Sequence, residues 1–247
     1  MFSLIRCEFK KFKNTYINSL SMLGMLAPLG LVVLMFLINK ENYVKSGAYT
    51  WDNFNGYFRV LFAFMVGPII TSFVAVFAVF YEYQQKTMKN VVASPHNRIK
   101  IMLSKIIYVY VLILIQYAIV AVINILCGYI MGFEMKPEMM WNKSIEIMMA
   151  GLATVLLVPF MMFITLLFKS FIPAMVMTVC GTIGNVITLN WEHSYLSPWS
   201  IPADIVMIQS SKDFPMKIEY PLASMGIYLT LFMVLTIVYF HRADQNG

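Results

Sequence analysis

Residues 106–131 read IIYVYVLILIQYAIVAVINILCGYIM, without a single Asp, Glu, Lys or Arg. The charge-free interval runs slightly further, from Lys105 to Glu134, and encloses 28 residues. A helix needs about 20 mainly apolar residues to cross the hydrocarbon core of a bilayer. A charge at its centre costs about 2.5–3.5 kcal/mol, which cancels the insertion free energy of several leucines. The stretch therefore reads as a membrane-crossing helix. Five more intervals have the same character. Lys13 to Lys40 encloses 26 residues, while Arg59 to Glu82, Glu146 to Lys169, Lys169 to Glu192 and Glu219 to Arg242 each enclose 22. The spacing predicts six transmembrane helices over 20–38, 60–80, 106–131, 147–168, 171–189 and 221–240. Pro28, Pro68, Pro159 and Pro173 fall in these runs or at their starts and predict kinks, since membrane helices tolerate proline where neighbours satisfy the freed backbone.

Composition agrees with an all-α membrane protein. The 247 residues are 60% hydrophobic and 12% charged, with a mean hydropathy of +0.73. A soluble domain carries about twice that charge fraction and needs a polar exterior that this chain cannot supply. An ordinary soluble enzyme, a disordered tail and a collagen-like fibre are excluded. The net charge of +6 and pI near 9.1 fit basic flanks of membrane helices better than a nucleic-acid surface. No nucleic-acid partner is expected. Cys7, Cys127 and Cys180 are odd in number and widely separated, so they imply no disulfide framework.

Counting Lys and Arg in alternate loops orients the chain. With the N-terminus inside, eleven of the 18 basic residues lie on the inner side and seven on the outer. The positive-inside rule then places both termini in the cytoplasm. Trp51, Trp141, Trp191 and Trp199 fall on the outer side, where they are expected to anchor at the headgroup level. The first apolar run is too long for the core of a cleaved signal peptide, and the surroundings of Cys7 do not form a lipidation site. Ahead of that run, Phe2, Ile5, Phe9, Phe12 and Tyr16 recur at helical spacing beside Arg6, Lys10, Lys11 and Lys13. An apolar stripe edged by basic residues predicts an amphipathic helix over 1–18, lying in the inner membrane interface.

The inner segment 81–105 reads YEYQQKTMKNVVASPHNRIKIMLSK. Its carboxylate, Glu82, sits where the second span would emerge. A Glu, a Thr some five residues on, and a Ser-Pro followed by Arg and Lys resemble the loop between the second and third helices of type-2 ATP-binding-cassette permeases. The matching residues are Glu82, Thr87, Ser94, Pro95, Arg98 and Lys105. An amphipathic start, six spans and the long outer segment 190–220 extend the likeness over the whole chain. The pattern is most similar to permeases of lantibiotic or bacteriocin self-protection exporters.

The resemblance implies that 81–105 is a coupling loop that docks on an ATPase subunit, with Glu82 and nearby Lys86 or Arg98 bracing the contact. It implies two ATPase subunits holding ATP and Mg, a second permease copy or paralogue, membrane lipid and a peptide substrate as partners, and the bacterial cell membrane as location. The chain is then expected to bind no cofactor or metal itself. It carries no GxxxxGK[ST] loop for phosphates and no HExxH or GxSxG motif, so it reads as a non-catalytic subunit. Methionine-rich stretches such as Met135, Met139 and Met140 read as flexible packing.

Inside the fifth span, Thr178, Thr182, Asn185 and Thr188 share one helix face, with Gly181 and Gly184 nearby. Such a stripe serves either interhelical packing or a translocation path or dimer seam. The spans hold no Asp, Glu, Lys or Arg, which disfavours proton-coupled transport. The reading that follows is an ATP-driven exporter permease for an amphipathic antimicrobial peptide. Another drug or lipid-like substrate, an ATP-independent channel and a membrane enzyme are the alternatives.

Overall fold

The computed structural model of the chain describes residues 1–13, 15–88, 97–188, 191, 193–210 and 216–242, with side chains to the same extent except at Ser210. Among these residues every regular element is helical. The amphipathic start forms α1 (Phe2–Lys13), and the first span is α2 (Ile17–Ile38), followed by the short α3 (Lys40–Lys45). The second span is a 34-residue rod made of α4 (Trp51–Leu61), a π-helical segment (Phe62–Val66) and α5 (Gly67–Gln84). The third span is α6 (Arg98–Met131). The fourth is split into α7 (Pro137–Thr154) and α8 (Leu157–Phe168), and the fifth is α9 (Phe171–Thr188). A single 3₁₀ turn (Ser194–Leu196) and α10 (Ile201–Ser210) lead to the sixth span, α11 (Glu219–Arg242). Among the described residues six helices are long and apolar enough to cross a membrane, as the charge spacing predicts.

Three starts differ markedly from that prediction, the fourth span opening at Pro137 rather than Ile147. The second span begins at Trp51 rather than Val60, with Thr50 capping it by accepting from the Asn53 amide at 3.3 Å. Its polar first turns persist because Asp52 and Arg59 have partners: Lys143 Nζ lies 3.6 Å from Asp52, and Arg59 lies 3.4 Å from Glu146. The third span begins at Arg98, where the Asn97 side chain accepts from the Ile99 amide at 2.9 Å. The connection between the second and third spans therefore shortens to 85–97, and residues 89–96 of it lie outside the described residues.

Proline explains where the rods break. Pro68 has no N–H, so the Phe64 carbonyl loses its α-helical donor. The helix widens into the π segment at that place, and Asn185 of α9 supplies the missing donor from outside, Nδ2 to O at 3.0 Å. Pro159 has the same effect on Val155, whose carbonyl accepts instead from the Val158 amide in a tight turn at 3.2 Å. α6 ends at Gly132, where φ is +75° and only glycine is at ease.

The core is aromatic and closely packed. Trp51, Phe36, Phe54, Phe58, Phe62 and Tyr117 are all fully buried. The Trp51 ring rests on Gly128, and Trp199 rests on Gly181, each at a place where a Cβ would collide. Trp51 and Trp199 are thus core residues and cannot serve as headgroup anchors, whereas Trp141 and Trp191 are exposed. Apart from Tyr220 at the start of α11, the large apolar side chains that α2, α9 and α11 leave uncovered are Leu, Ile, Val and Met, the surface a hydrocarbon solvent accepts.

Candidate functional site

Glu8 and Lys11 of α1 converge with Glu82 and Lys105 of the adjoining helix ends on one point. The helical period turns Glu8 and Phe12 of α1 toward the bundle, where both are buried. Phe12 stacks on Tyr108 of α6 with ring centroids 5.1 Å apart and lies 5.5 Å from the Tyr81 ring of α5. This contact sets Lys11 beside Glu82, with Nζ 2.5 Å from Oε1. Lys105 of α6 approaches the same oxygen, also at 2.5 Å, and reaches Glu8 Oε1 at 3.0 Å. Two carboxylates and two ammonium groups thus form a neutral cluster joining α1, the end of α5 and the first turns of α6.

Glu82 and Lys105 are each only 1% exposed. At such depth a carboxylate survives only when paired, because desolvation of an isolated charge costs several kcal/mol. One oxygen of each acid, Oε2 of Glu8 and of Glu82, has no hydrogen-bond partner among the described residues. Lys11 sits at the rim, and its ammonium lies within 5.1 Å of the Phe12 ring centroid and 5.5 Å of that of Tyr81. Burial and then the Lys105 charge press its pKa below the ordinary lysine value, and Glu82 and Glu8 only partly offset them.

Of the other sequence-predicted coupling residues, Lys86, Thr87 and Arg98 are among the described residues and do not join this cluster. Lys86 adopts a left-handed conformation, φ +56°, just past α5. That turn lets the Thr87 amide donate to the Glu82 carbonyl at 2.9 Å, closing the helix end, with the Thr87 hydroxyl 3.4 Å from the same oxygen. Arg98 donates to the His241 carbonyl at 3.2 Å, tying the start of the third span to the end of the sixth. Within the chain Glu82 is paired with Lys11 and Lys105. Ser94 and Pro95 lie outside the described residues.

The polar stripe of the fifth span faces inward. Thr178, Thr182 and Asn185 are buried within the chain. Thr178 donates to the Ala174 carbonyl at 3.1 Å and lies 3.4 Å from Met161 Sδ of α8. Thr182 lies within 3.0 Å of the Thr178 and Val179 carbonyls, and Asn185 holds the Phe64 carbonyl. The hydroxyls of Thr188 and Ser200 are 3.1 Å apart. Thr178, Thr182 and Asn185 thus make packing contacts inside the chain, while Thr188 is half-buried. The surface α9 presents outward carries Ile172, Val176, Ile183 and Ile187 instead.

Sequence reading missed Glu8 altogether and named Lys105 without giving it a partner. A usable signal was present: Glu82 and Lys105 are the charges that close the intervals of two consecutive spans, and consecutive antiparallel spans bring such ends together. Glu8 carried no such signal, because a carboxylate at the edge of the apolar stripe of α1 reads as part of its polar side.

Six apolar rods, two of them broken, with an amphipathic helix pinned across one end by buried ion pairs, define a multi-pass helical membrane protein without a nucleotide-binding domain among its described elements. Residues 4–185 match the family described as ABC-2 family transporter protein, and the chain belongs to that family. It is accordingly a multi-pass transport permease of the bacterial cell membrane. It is 29% identical over 197 residues to the bacitracin transport permease protein BCRB of Bacillus licheniformis, a match covering 79% of this chain and 91% of that protein.

Proposed function

We propose that this chain is the membrane half of an ATP-driven exporter that removes a peptide antibiotic from the membrane or its outer leaflet. Membership of the ABC-2 family over residues 4–185 is the observation that carries the reading. The likeness to a permease named for bacitracin transport narrows the substrate to peptide antibiotics. A lantibiotic or bacteriocin is the finer assignment, and protection of the producing or resistant cell is the role that goes with it.

In this reading the end of the bundle bearing α1 is cytoplasmic, and ATP and Mg are held by separate ATPase subunits. A second permease, identical or paralogous, completes the path. The segment around 85–97 meets the ATPase, with Lys86, Thr87, Ser94, Pro95 and Arg98 at or beside the contact. Glu82 acts behind it as a positioning residue. An ATPase that closes on nucleotide moves membrane helices only through contacts that do not yield. The cluster of Glu82, Lys105, Glu8 and Lys11 makes the ends of α5 and α6 and the whole of α1 one such unit.

The test is affinity purification of the tagged full-length chain from its native membranes in mild detergent. An ATP-hydrolysing partner in stoichiometric amount is the expected result. Recovery of the chain alone, folded and monodisperse, contradicts the proposal.

A further inference from the structure

We propose that the halves of the second and fourth spans distal to Glu82 swing together as one body, on a hinge pinned by Tyr117 of the third span.

Both rods are interrupted, and both interruptions touch the same side chain. In the second span the π segment (Phe62–Val66) gives way to Gly67, and in the fourth the break at Val155–Leu156 follows Gly151 and Thr154. Tyr117 is fully buried between them. A Cβ on Gly67 would lie 2.5 Å from the Tyr117 hydroxyl, and one on Gly151 would lie 2.7 Å from its Cγ. The two glycines therefore form a socket for one ring, against which Phe62 also packs at 5.0 Å. Long 3.4 Å contacts join Thr154 Oγ1 to the Tyr117 hydroxyl and to Thr71 Oγ1. The two breaks thus lie at one level of the bundle.

On either side of that level the spans are bound to each other. Distally, Arg59 reaches Glu146 at 3.4 Å, while Lys143 bridges Glu146 at 3.2 Å and Asp52 at 3.6 Å. α10 packs along α7 and also meets the π segment, joining α7 to the break in the second span. Proximally, α5 and α8 form the most extensive helix pair in the protein. Across the breaks the helical ladder is weaker. The Phe64 carbonyl is held by Asn185 from another helix, and the Val155 carbonyl by a tight turn. Rods kink where proline and π geometry interrupt the ladder. Two such points on a shared pin let the two bound bodies rotate about one level, with α7 sliding on α6 and α4 on α2. The inference concerns the mechanics of this chain alone and does not depend on the ATPase or the substrate.

The test uses the full-length chain in lipid nanodiscs, with its native cysteines replaced and spin labels at exposed positions. Val60 with Trp141 reports the distal body, and Gln84 with Phe168 the proximal one. Val60 with Gln84 and Trp141 with Phe168 span the hinge. Distance distributions across the hinge should be at least about twice as wide as those within a body, as hinge motion between rigid parts requires. Four equally narrow distributions overturn the proposal. Tyr117→Ala should widen both hinge-spanning pairs and leave the other two unchanged, while Tyr117→Phe, which keeps the ring, should match the wild type. Widening of all four pairs in Tyr117→Ala would make the ring an ordinary core residue and overturn the hinge equally.

Discussion

Glu82 of the second span and Lys105 of the third meet through a buried ion pair 2.5 Å long, and Lys11 of the amphipathic helix shares the same carboxylate oxygen. The pair does more than join two neighbouring helices. Through Lys11, and through Glu8 on Lys105, it fixes an element that would otherwise be held by apolar contact alone. Lys105→Met should therefore destabilise the protein by about 3–5 kcal/mol, since it leaves two buried carboxylates under-compensated. Restoring neutrality with Glu82→Gln in the same chain should recover much of that loss. Thermal unfolding of the purified variants checks both statements, and an unperturbed Lys105→Met would show that the cluster carries little stability.

The bond from Asn185 to the Phe64 carbonyl exists because Pro68 cannot donate. Asn185→Leu should cost about 1–3 kcal/mol, the usual penalty for orphaning a buried carbonyl. The cost should shrink when Pro68→Ala restores a backbone N–H to the second span. A double-mutant cycle on unfolding free energy reads this coupling directly. Strict additivity of the two substitutions would mean that the side chain and the proline do not act on the same carbonyl.

Much of this architecture was legible in the sequence because charge is so costly in hydrocarbon. The charge-free intervals placed all six spans, and the period of Phe2, Ile5, Phe9 and Phe12 found α1. The start of the second span was misplaced because Asp52 and Arg59 obtain their partners, Lys143 and Glu146, from a distant helix. The stripe Thr178, Thr182 and Asn185 was visible, but spacing alone cannot say which way a polar face turns. Its direction depends on the Phe64 carbonyl, a backbone group that hydropathy does not register. Glu82 stood out at the end of a charge-free interval, whereas its pairing with Lys105 did not, because the two are 23 residues apart in sequence and adjacent only in space.

Asp204 in α10, outside the membrane-spanning helices, offers a pH test. It is buried, with the Ser194 hydroxyl 2.9 Å from both of its oxygens, and burial pushes its carboxyl up to about 6 from an ordinary 3.8, against the opposing effect of that hydroxyl. A raised value means that the folded chain holds the proton more tightly than the unfolded one. Its contribution to stability is complete below pH 3.8 and is lost as the pH rises through about 6. The two-unit difference corresponds to at most about 3 kcal/mol. Relative to wild type, Asp204→Asn should gain thermal stability between pH 4 and pH 7.5. Parallel melting curves across that range would show that Asp204 titrates normally.

Orientation is tested by impermeant thiol labelling of intact cells in a background lacking Cys7, Cys127 and Cys180. A cysteine at Ser46, exposed beyond α3, should label, and one at Gln85, exposed beyond α5, should be protected. The reverse pattern would place Glu82 on the outer side and remove any contact between that end and a cytoplasmic ATPase.

The most direct measurement is extrusion of a labelled peptide antibiotic from proteoliposomes that contain the purified permease with its co-purified ATPase. Extrusion should require ATP and should stop when the ATPase cannot hydrolyse it. Glu82→Gln complexes that remain assembled should turn over ATP while moving much less peptide, because the braced unit that carries the stroke is loosened. Peptide movement that proceeds equally well without ATP, or an assembled Glu82→Gln complex that exports at the wild-type rate, would contradict the mechanism.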